Sequence, residues 1–187
     1  MLINCRGTLV NLTSPKVMGI LNITPDSFFD GGKYIDADSI LRQVELMLNE
    51  GADFIDIGAA SSRPGAMEVS EEEELKRLLP ALELVLKNFP QAIISVDTFR
   101  ANVAEQVLNI GAHIINDITA GSDEKMFETV SRFDAPYIMM QMQGTPQTMQ
   151  LNPVYANVVR EVLDFFISKI DKAKSLNIKD IIIDVGW

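Results

Sequence analysis

The chain has 187 residues, of which 47% are hydrophobic, and a formal net charge of −10. This is enough to bury one sizeable core, and no linker-like change in composition divides residues 1–187, so we predict a single domain. The acidic balance argues against nucleic acid or an anionic membrane as a partner, and the single cysteine excludes an internal disulfide or a thiolate metal cage.

Short apolar runs alternate along the chain with segments of helical spacing. Continuous apolar runs without strict alternation are typical of buried parallel strands, and each run here stops at a polar residue. In chain order these polar residues are Asn22, Asp56, Asp97, Asn116, Gln141 and Asp184. The pattern predicts six strands whose polar ends meet in one mouth.

Helical patterns fill the intervals between the runs. Apolar residues recur with helical spacing ahead of Gly51, which predicts a helix over residues 37–50. Ser70 and Glu73 have capping-box spacing and predict the start of a second helix. Further helices are predicted at about residues 99–109, 123–133 and 154–175.

An alternating series of this kind folds either as an open doubly wound sheet or as a closed (β/α)8 barrel, and both place function at the carboxyl ends of the strands. Repeated polar strand ends favour the barrel, because a ring of strand ends converges on one ligand. We therefore predict an α/β fold, a (β/α)8 TIM barrel that is incomplete as given, with about six of the eight β/α units. The doubly wound sheet is the alternative.

The apolar stretches are shorter than the roughly 20 residues that span a bilayer. Residues 1–20 also lack the charged start and long apolar centre of a signal peptide. We therefore expect a cytoplasmic protein.

The segment after the first strand, residues 21–34, reads LNITPDSFFDGGKY. It is rich in turn formers and in oxygen-bearing side chains, including Asn22 and Asp30. An Asx-rich turn would explain the polar residues, but not the adjacent rings of Phe28 and Phe29. A lid that closes over a ligand explains both features.

The segment after the second strand, residues 58–66, reads GAASSRPGA. Small residues allow the backbone to approach a ligand, while Ser62 and Arg63 offer a hydroxyl and a guanidinium to anionic oxygens. In an acidic protein, this combination at a barrel mouth indicates a phosphorylated substrate.

Asp97, Asn116 and Asp184 form a set at three strand ends. Each alone could be a helix cap or a buried hydrogen-bond partner, as we expect for Asp117. Together, three carboxylate or amide groups can bind a flat nitrogen heterocycle along its edge. His113 precedes its strand, away from the mouth, and is predicted to be structural.

These segments resemble the dihydropteroate synthase family of pterin-binding TIM barrels. The matching segments are VMGILNITPDSFFDGG, GAASSRPG, SVDTFR, GAHIINDI and IIIDVG, in the order and spacing of the family. The resemblance implies condensation of 6-hydroxymethyl-7,8-dihydropterin diphosphate with 4-aminobenzoate, which gives 7,8-dihydropteroate and pyrophosphate. On the matching positions, Asp97, Asn116 and Asp184 would hydrogen-bond the pterin and Met140 would pack against its ring.

The resemblance also assigns the diphosphate side of the site. Asn22 would position Mg²⁺ and the diphosphate, and Ser62 would contact the substrate. Arg63 would meet the diphosphate or the closed first loop. Asp30 would stabilise positive charge that develops at the pterin methylene when pyrophosphate leaves. The family also suggests a homodimer in the full-length form.

Length is the main departure from the family. A (β/α)8 barrel typically needs about 250 residues, and family members continue to a seventh-strand Ser-Arg-Lys and an eighth-strand Arg-x-His motif that are absent here. We therefore expect a chain truncated after strand six that is inactive alone. Smaller departures are Gln141, where the family commonly has His, and Val185, where it usually has Pro.

Two other functions stay open. A pterin-binding methyltransferase shares the barrel and the deep carboxylates, but it has no use for a diphosphate site. A non-catalytic truncated paralogue would bind pterin or a partner without turnover.

Overall fold

The computed structural model describes residues 1–23, 29–30, 34–59, 69–145, 148–149 and 153–186, with the backbone alone for residues 29–30 and 34–35. An antiparallel hairpin opens the chain, and parallel strands then alternate with helices. The strands are β1 Leu2–Cys5, β2 Thr8–Asn11, β3 Met18–Asn22, β4 Phe29–Asp30, β5 Tyr34–Ile35, β6 Phe54–Gly58, β7 Ile93–Asp97, β8 Ile114–Asp117, β9 Tyr137–Met140 and β10 Ile181–Asp184. The helices are α1 Ala37–Asn49, α2 Glu71–Asn88, α3 Ala101–Ile110, α4 Met126–Arg132 and α5 Val158–Ser175.

Six strands form one parallel sheet in the order β3-β6-β7-β8-β9-β10. Each strand pairs with the next parallel strand along the chain, so that Asn22 lies beside Gly58, Gly58 beside Asp97 and Asp97 beside Asn116. The order never reverses, and the sheet therefore lacks the switch point that defines a doubly wound fold. It matches six consecutive strands of the predicted barrel.

The helices cover the outer face of this sheet. Strand residues on that face, such as Leu21, Ile57 and Val96, are fully buried in one apolar core with the inner stripes of the helices. The predicted capping box is confirmed, because the Glu73 amide donates to Ser70 Oγ at 3.2 Å. The last three helices begin a few residues later than predicted. For α5 the reason is a cap at Asn157, whose side chain accepts from the Arg160 amide.

The β1–β2 hairpin, which the sequence pattern did not predict, closes the amino-terminal end of the sheet. Ile3, Cys5 and Val10 pack there against one apolar residue from every strand of the sheet. These strand residues are Met18, Phe54, Ile93, Ile114, Ile138 and Ile182. Burial, and then the charge of Asp180, raise the pKa of the Cys5 thiol to about 11. This end of the barrel is apolar, so polar chemistry belongs at the opposite end.

β3 and β10 are the outer strands of the described sheet. Beside β10, apolar side chains of α5 such as Val159, Leu163 and Ile167 are exposed along a groove of about 720 Å³. Asp184, at the end of β10, is exposed as well. Within the described residues, no helix combines the length and the apolar character needed to cross a membrane.

Candidate functional site

Inward-facing residues of the six strands lie at two levels. The lower level is the apolar layer that packs on the hairpin. Side chains alternate along a strand, so residues two and four positions further on face the same interior, nearer the carboxyl ends. This upper level contains Asn22, Asp56, Gly58, Ser95, Asp97, Asn116, Met140 and Asp184. Five residues that the sequence placed in the site therefore share one face of the sheet.

The side chains of the other three predicted site residues are not among those that the structure describes. Ser62 and Arg63 lie outside the described residues, and only the backbone of Asp30 is described, in β4. Their predicted roles stay predictions.

The described residues on either side of positions 60–68 are each held by an arginine. Arg77 Nη1 on α2 donates to the Ala59 carbonyl at 3.3 Å. Arg100 Nη2, just before α3, donates to the Val69 carbonyl at 2.6 Å. The two contacts are made to the backbone carbonyls of Ala59 and Val69, the described residues that flank positions 60–68.

Glu74 links Arg100 to Thr98, the residue directly after β7, and sequence reasoning missed it. It is only 1% exposed, accepts from Thr98 Oγ1 at 2.7 Å and forms an ion pair with Arg100. A signal was available, because Glu74 shares helical spacing with Leu78 and Val85 and so lies on the buried face of α2. The other glutamates of that first turn are not buried.

Asp97, at the end of β7, has a strongly altered pKa. Burial raises the pKa of its carboxyl to about 8, and the carboxylates of Asp56, Glu74 and Asp117 act in the same direction. At neutral pH without a ligand, the carboxyl is therefore largely protonated. A ligand that presents N–H donors would favour the ionised form.

Asp56 lies elsewhere than predicted: β6 continues to Gly58, so Asp56 is in the middle of the strand rather than at its end. The strand is longer because Ile57 and Gly58 still pair with both neighbouring strands. Asp56 is 4% exposed, and the Nδ2 atom of Asn116 donates to its Oδ2 atom at 3.0 Å. Burial raises the pKa of Asp56, and the neighbouring Ser95 and Asn116 partly oppose that shift.

Gly58 lies in close contact with two of the predicted site residues, Asn22 and Asp97. A Cβ atom at this position would lie 3.3 Å from Asn22 Oδ1 and 3.4 Å from Asp97 Cβ. The sequence indicated that small residues here allow close approach of a ligand, and in the structure the close approach at Gly58 is made by the Asn22 amide and the Asp97 carboxyl group.

The donors that the described residues offer are compatible with a Mg²⁺ ion that a substrate phosphate also holds. Among the described residues, no three His, Cys, Asp or Glu side chains form a cluster that could hold a metal. Asn22 contributes one amide oxygen, which lies close to the Gly58 backbone. Mg²⁺ commonly keeps several waters and binds through one or two protein oxygens plus substrate phosphates, so a single amide oxygen is compatible with Mg²⁺ on a diphosphate.

Three polar residues near the strand ends have structural contacts. Asp117 faces outward and accepts from the Tyr137 hydroxyl at 2.6 Å, as expected for a buried hydrogen-bond partner. His113 Nδ1 accepts from the Ile94 amide at 3.1 Å, ahead of β8, which confirms its structural role. Gln141 hydrogen-bonds the Tyr155 hydroxyl at 3.2 Å.

Residues 18–187 match the family model of pterin binding enzymes. The chain belongs to the pterin-binding enzyme family. The dihydropteroate synthase of Haemophilus influenzae is 46% identical to this chain over 180 residues, which are 95% of the chain and 65% of that relative. The chain therefore spans slightly less than two thirds of the length of this curated relative.

Solved structures agree with this family and with the barrel. The Yersinia pestis dihydropteroate synthase in a sulfonamide drug complex has a TM-score of 0.90 and 40% identity, covering 100% of this chain and 68% of that one. The Xanthomonas albilineans dihydropteroate synthase with 4-aminobenzoic acid has a TM-score of 0.87 and 36% identity, and the match covers 99% of this chain and 66% of that one. The six parallel strands and five helices described here thus belong to a TIM-barrel fold.

Proposed function

We propose that this pterin-binding chain is part of a dihydropteroate synthase, which joins 6-hydroxymethyl-7,8-dihydropterin diphosphate to 4-aminobenzoate and releases pyrophosphate. The proposal is carried by one observation: Asp97, Asn116 and Asp184 face the same interior at the carboxyl ends of three strands. The name of the Haemophilus influenzae relative and the 4-aminobenzoic acid in the Xanthomonas albilineans structure support it.

The three polar residues would bind the pterin through its N–H groups. Carboxylates and amide oxygens accept from such donors, and the bonds to carboxylates are charge-assisted. Met140, on the same face, would place its polarizable thioether against the ring. Because burial already disfavours the ionised form of Asp97, binding of the pterin and loss of the Asp97 proton would be coupled.

The reaction would exchange one bond at the pterin methylene carbon. The bond from this carbon to the diphosphate oxygen breaks, and its electron pair leaves with pyrophosphate. The neutral amine of 4-aminobenzoate donates its lone pair to the carbon, forms the C–N bond and then releases a proton to solvent. In this scheme Asp30 stabilises the developing positive charge at the methylene.

The leaving group needs compensation for its several negative charges. Arg63 and Ser62 would bind the phosphate oxygens, and Asn22 would hold Mg²⁺ through its amide oxygen. Bound Mg²⁺ supplies charge neutralisation on the leaving oxygens. Closure of the loop that contains Asp30 would exclude water from the reactive methylene. The homodimer and the cytoplasmic location expected from the sequence stay predictions.

Two measurements test the proposal. Isothermal titration calorimetry with 6-hydroxymethylpterin tests binding by the 187-residue chain. Dihydropteroate formation from both substrates is then measured for this chain and for the product of the complete reading frame that encodes it. We expect pterin binding by both proteins and turnover dependent on Mg²⁺ by the second, with little or none by the first.

The alternatives give different results. Pterin binding without turnover by either protein would support a non-catalytic paralogue. Binding of methyltetrahydrofolate together with failure of pyrophosphate and Mg²⁺ to bind would support the methyltransferase. Absence of pterin binding by both proteins would refute the proposed function.

A further inference from the structure

We propose that Asp56 is a positioning residue that fixes the orientation of the Asn116 side-chain amide and thereby determines which hydrogen-bonding edge of a heterocycle the site accepts. The inference rests on the proposed pterin site. It adds a residue that acts through Asn116 rather than on the ligand.

The barrel brings these two residues together across an intervening strand. Asp56 is on β6 and Asn116 on β8, and β7 lies between them in the sheet. In a barrel of this type, side chains from alternate strands fill the same interior layer. The Asn116 Nδ2 atom accordingly reaches Asp56 Oδ2 at 3.0 Å, an ordinary hydrogen-bond length.

The hydrogen bond gives the Asn116 amide a direction. An Asn side chain has an acceptor oxygen at one end and an NH₂ group at the other, and a half-turn exchanges the two. Because Asp56 Oδ2 accepts from Nδ2, the NH₂ end faces β6. The carbonyl oxygen then points away from Asp56 and is available to accept an N–H of the ligand.

Burial makes the opposite orientation costly. Asp56 is 4% exposed, so water cannot readily replace the Asn116 donor. The only other polar side chain that acts on the Asp56 carboxyl group among the described residues is that of Ser95, which lies opposite it on β7. Rotation of the amide would therefore place a carbonyl oxygen against a carboxyl oxygen and leave both without a donor.

The replacement Asp56→Asn tests this directly. An Asn side chain at position 56 can accept or donate, so the Asn116 amide can occupy either orientation. The proposal assigns the Asn116 oxygen to the 2-amino donor of the pterin. Isothermal titration calorimetry would therefore compare 6-hydroxymethylpterin with the analogue in which an oxo group, an acceptor, replaces this 2-amino group. We expect Asp56→Asn to weaken pterin binding by roughly 10-fold and to leave binding of the oxo analogue nearly unchanged or stronger.

A matched control separates orientation from packing. Ser95→Ala removes a buried hydroxyl from the position that pairs with Asp56 on β7, without removing the Asn116 hydrogen bond. We expect it to keep the wild-type ratio of the two affinities. If Asp56→Asn changes the affinity for both ligands by the same factor, so that their ratio stays at the wild-type value, Asp56 has only a structural role and the inference is wrong.

A second measurement needs no variant and can still overturn the inference if Asp56→Asn does not fold. NMR of the wild-type chain would follow hydrogen exchange of the Asn116 side-chain NH₂ group. We expect one of its two protons to exchange slowly; rapid exchange of both would contradict the inference. If the wild-type chain binds no pterin, the proposed function fails together with this inference, whereas pterin binding with an unchanged ratio in Asp56→Asn refutes the inference alone.

Discussion

Replacement of Asp97 by Asn is expected to stabilise the fold at neutral and alkaline pH. The folded state raises the pKa of this carboxyl from its ordinary value of 3.8 to about 8. The folded chain therefore binds the proton more tightly than the unfolded chain does. Stability from this group is fully present below pH 3.8 and is lost as the pH rises to about 8. Asn removes the ionisation and thus the loss.

The size of the effect follows from the pKa values. One pKa unit corresponds to about 1.4 kcal/mol, so ionisation of the carboxyl in the unfolded chain lowers the free energy of unfolding by about 2 kcal/mol at pH 5, and the full difference between the two pKa values lowers it by about 6 kcal/mol above pH 8. The difference in the free energy of unfolding between the variant and wild type should thus grow by about 4 kcal/mol between these pH values. The cost of burying the Asn amide does not depend on pH, so it lowers the stability of the variant equally at every pH and leaves this change unaltered.

Urea unfolding of both proteins at pH 5, 7 and 9 measures this difference. Asp164→Asn, at an exposed carboxylate on α5, is the matched control, and its stability difference should stay small and nearly constant with pH. A difference for Asp97→Asn that is flat, or that falls as the pH rises, would refute the reasoning. The same variant should lose pterin affinity, because an amide replaces the charged acceptor.

Three further substitutions separate the parts of the site. Gly58→Ala places a methyl group 3.3 Å from Asn22 Oδ1, so Asn22 or Asp97 must move, and pterin binding should weaken by about 10-fold in calorimetry. A wild-type affinity would contradict the close packing at Gly58. Asn22→Ala should abolish Mg²⁺-dependent pyrophosphate binding and spare pterin, and loss of both would argue against separate subsites. Tyr137→Phe leaves Asp117 without one donor and should cost about 1–3 kcal/mol in urea unfolding with pterin binding unchanged, so altered binding would place Asp117 in the site.

Local chemistry in the sequence determined much of the fold. Apolar runs that stop at polar residues marked all six parallel strands, and Ser70 marked a helix start, because hydrophobic periodicity and capping depend on neighbouring residues. Strand alternation then placed Asn22, Asp97 and Asn116 on one face once the strand order was known.

The sequence alone did not determine which polar groups face each other. Asp56 and Asn116 are far apart in the chain, and their contact depends on the layering of alternate strands around the barrel. The hairpin that closes the opposite end likewise becomes necessary only when six apolar side chains converge there.

The altered pKa of Asp97 has the same origin. It arises from burial and from carboxylates on β6, α2 and β8, none of which adjoins Asp97 in the sequence. Electrostatic coupling depends on distance and on exclusion of water, and tertiary structure decides both. The residue types were therefore readable from the chain, whereas their protonation and orientation were set by packing.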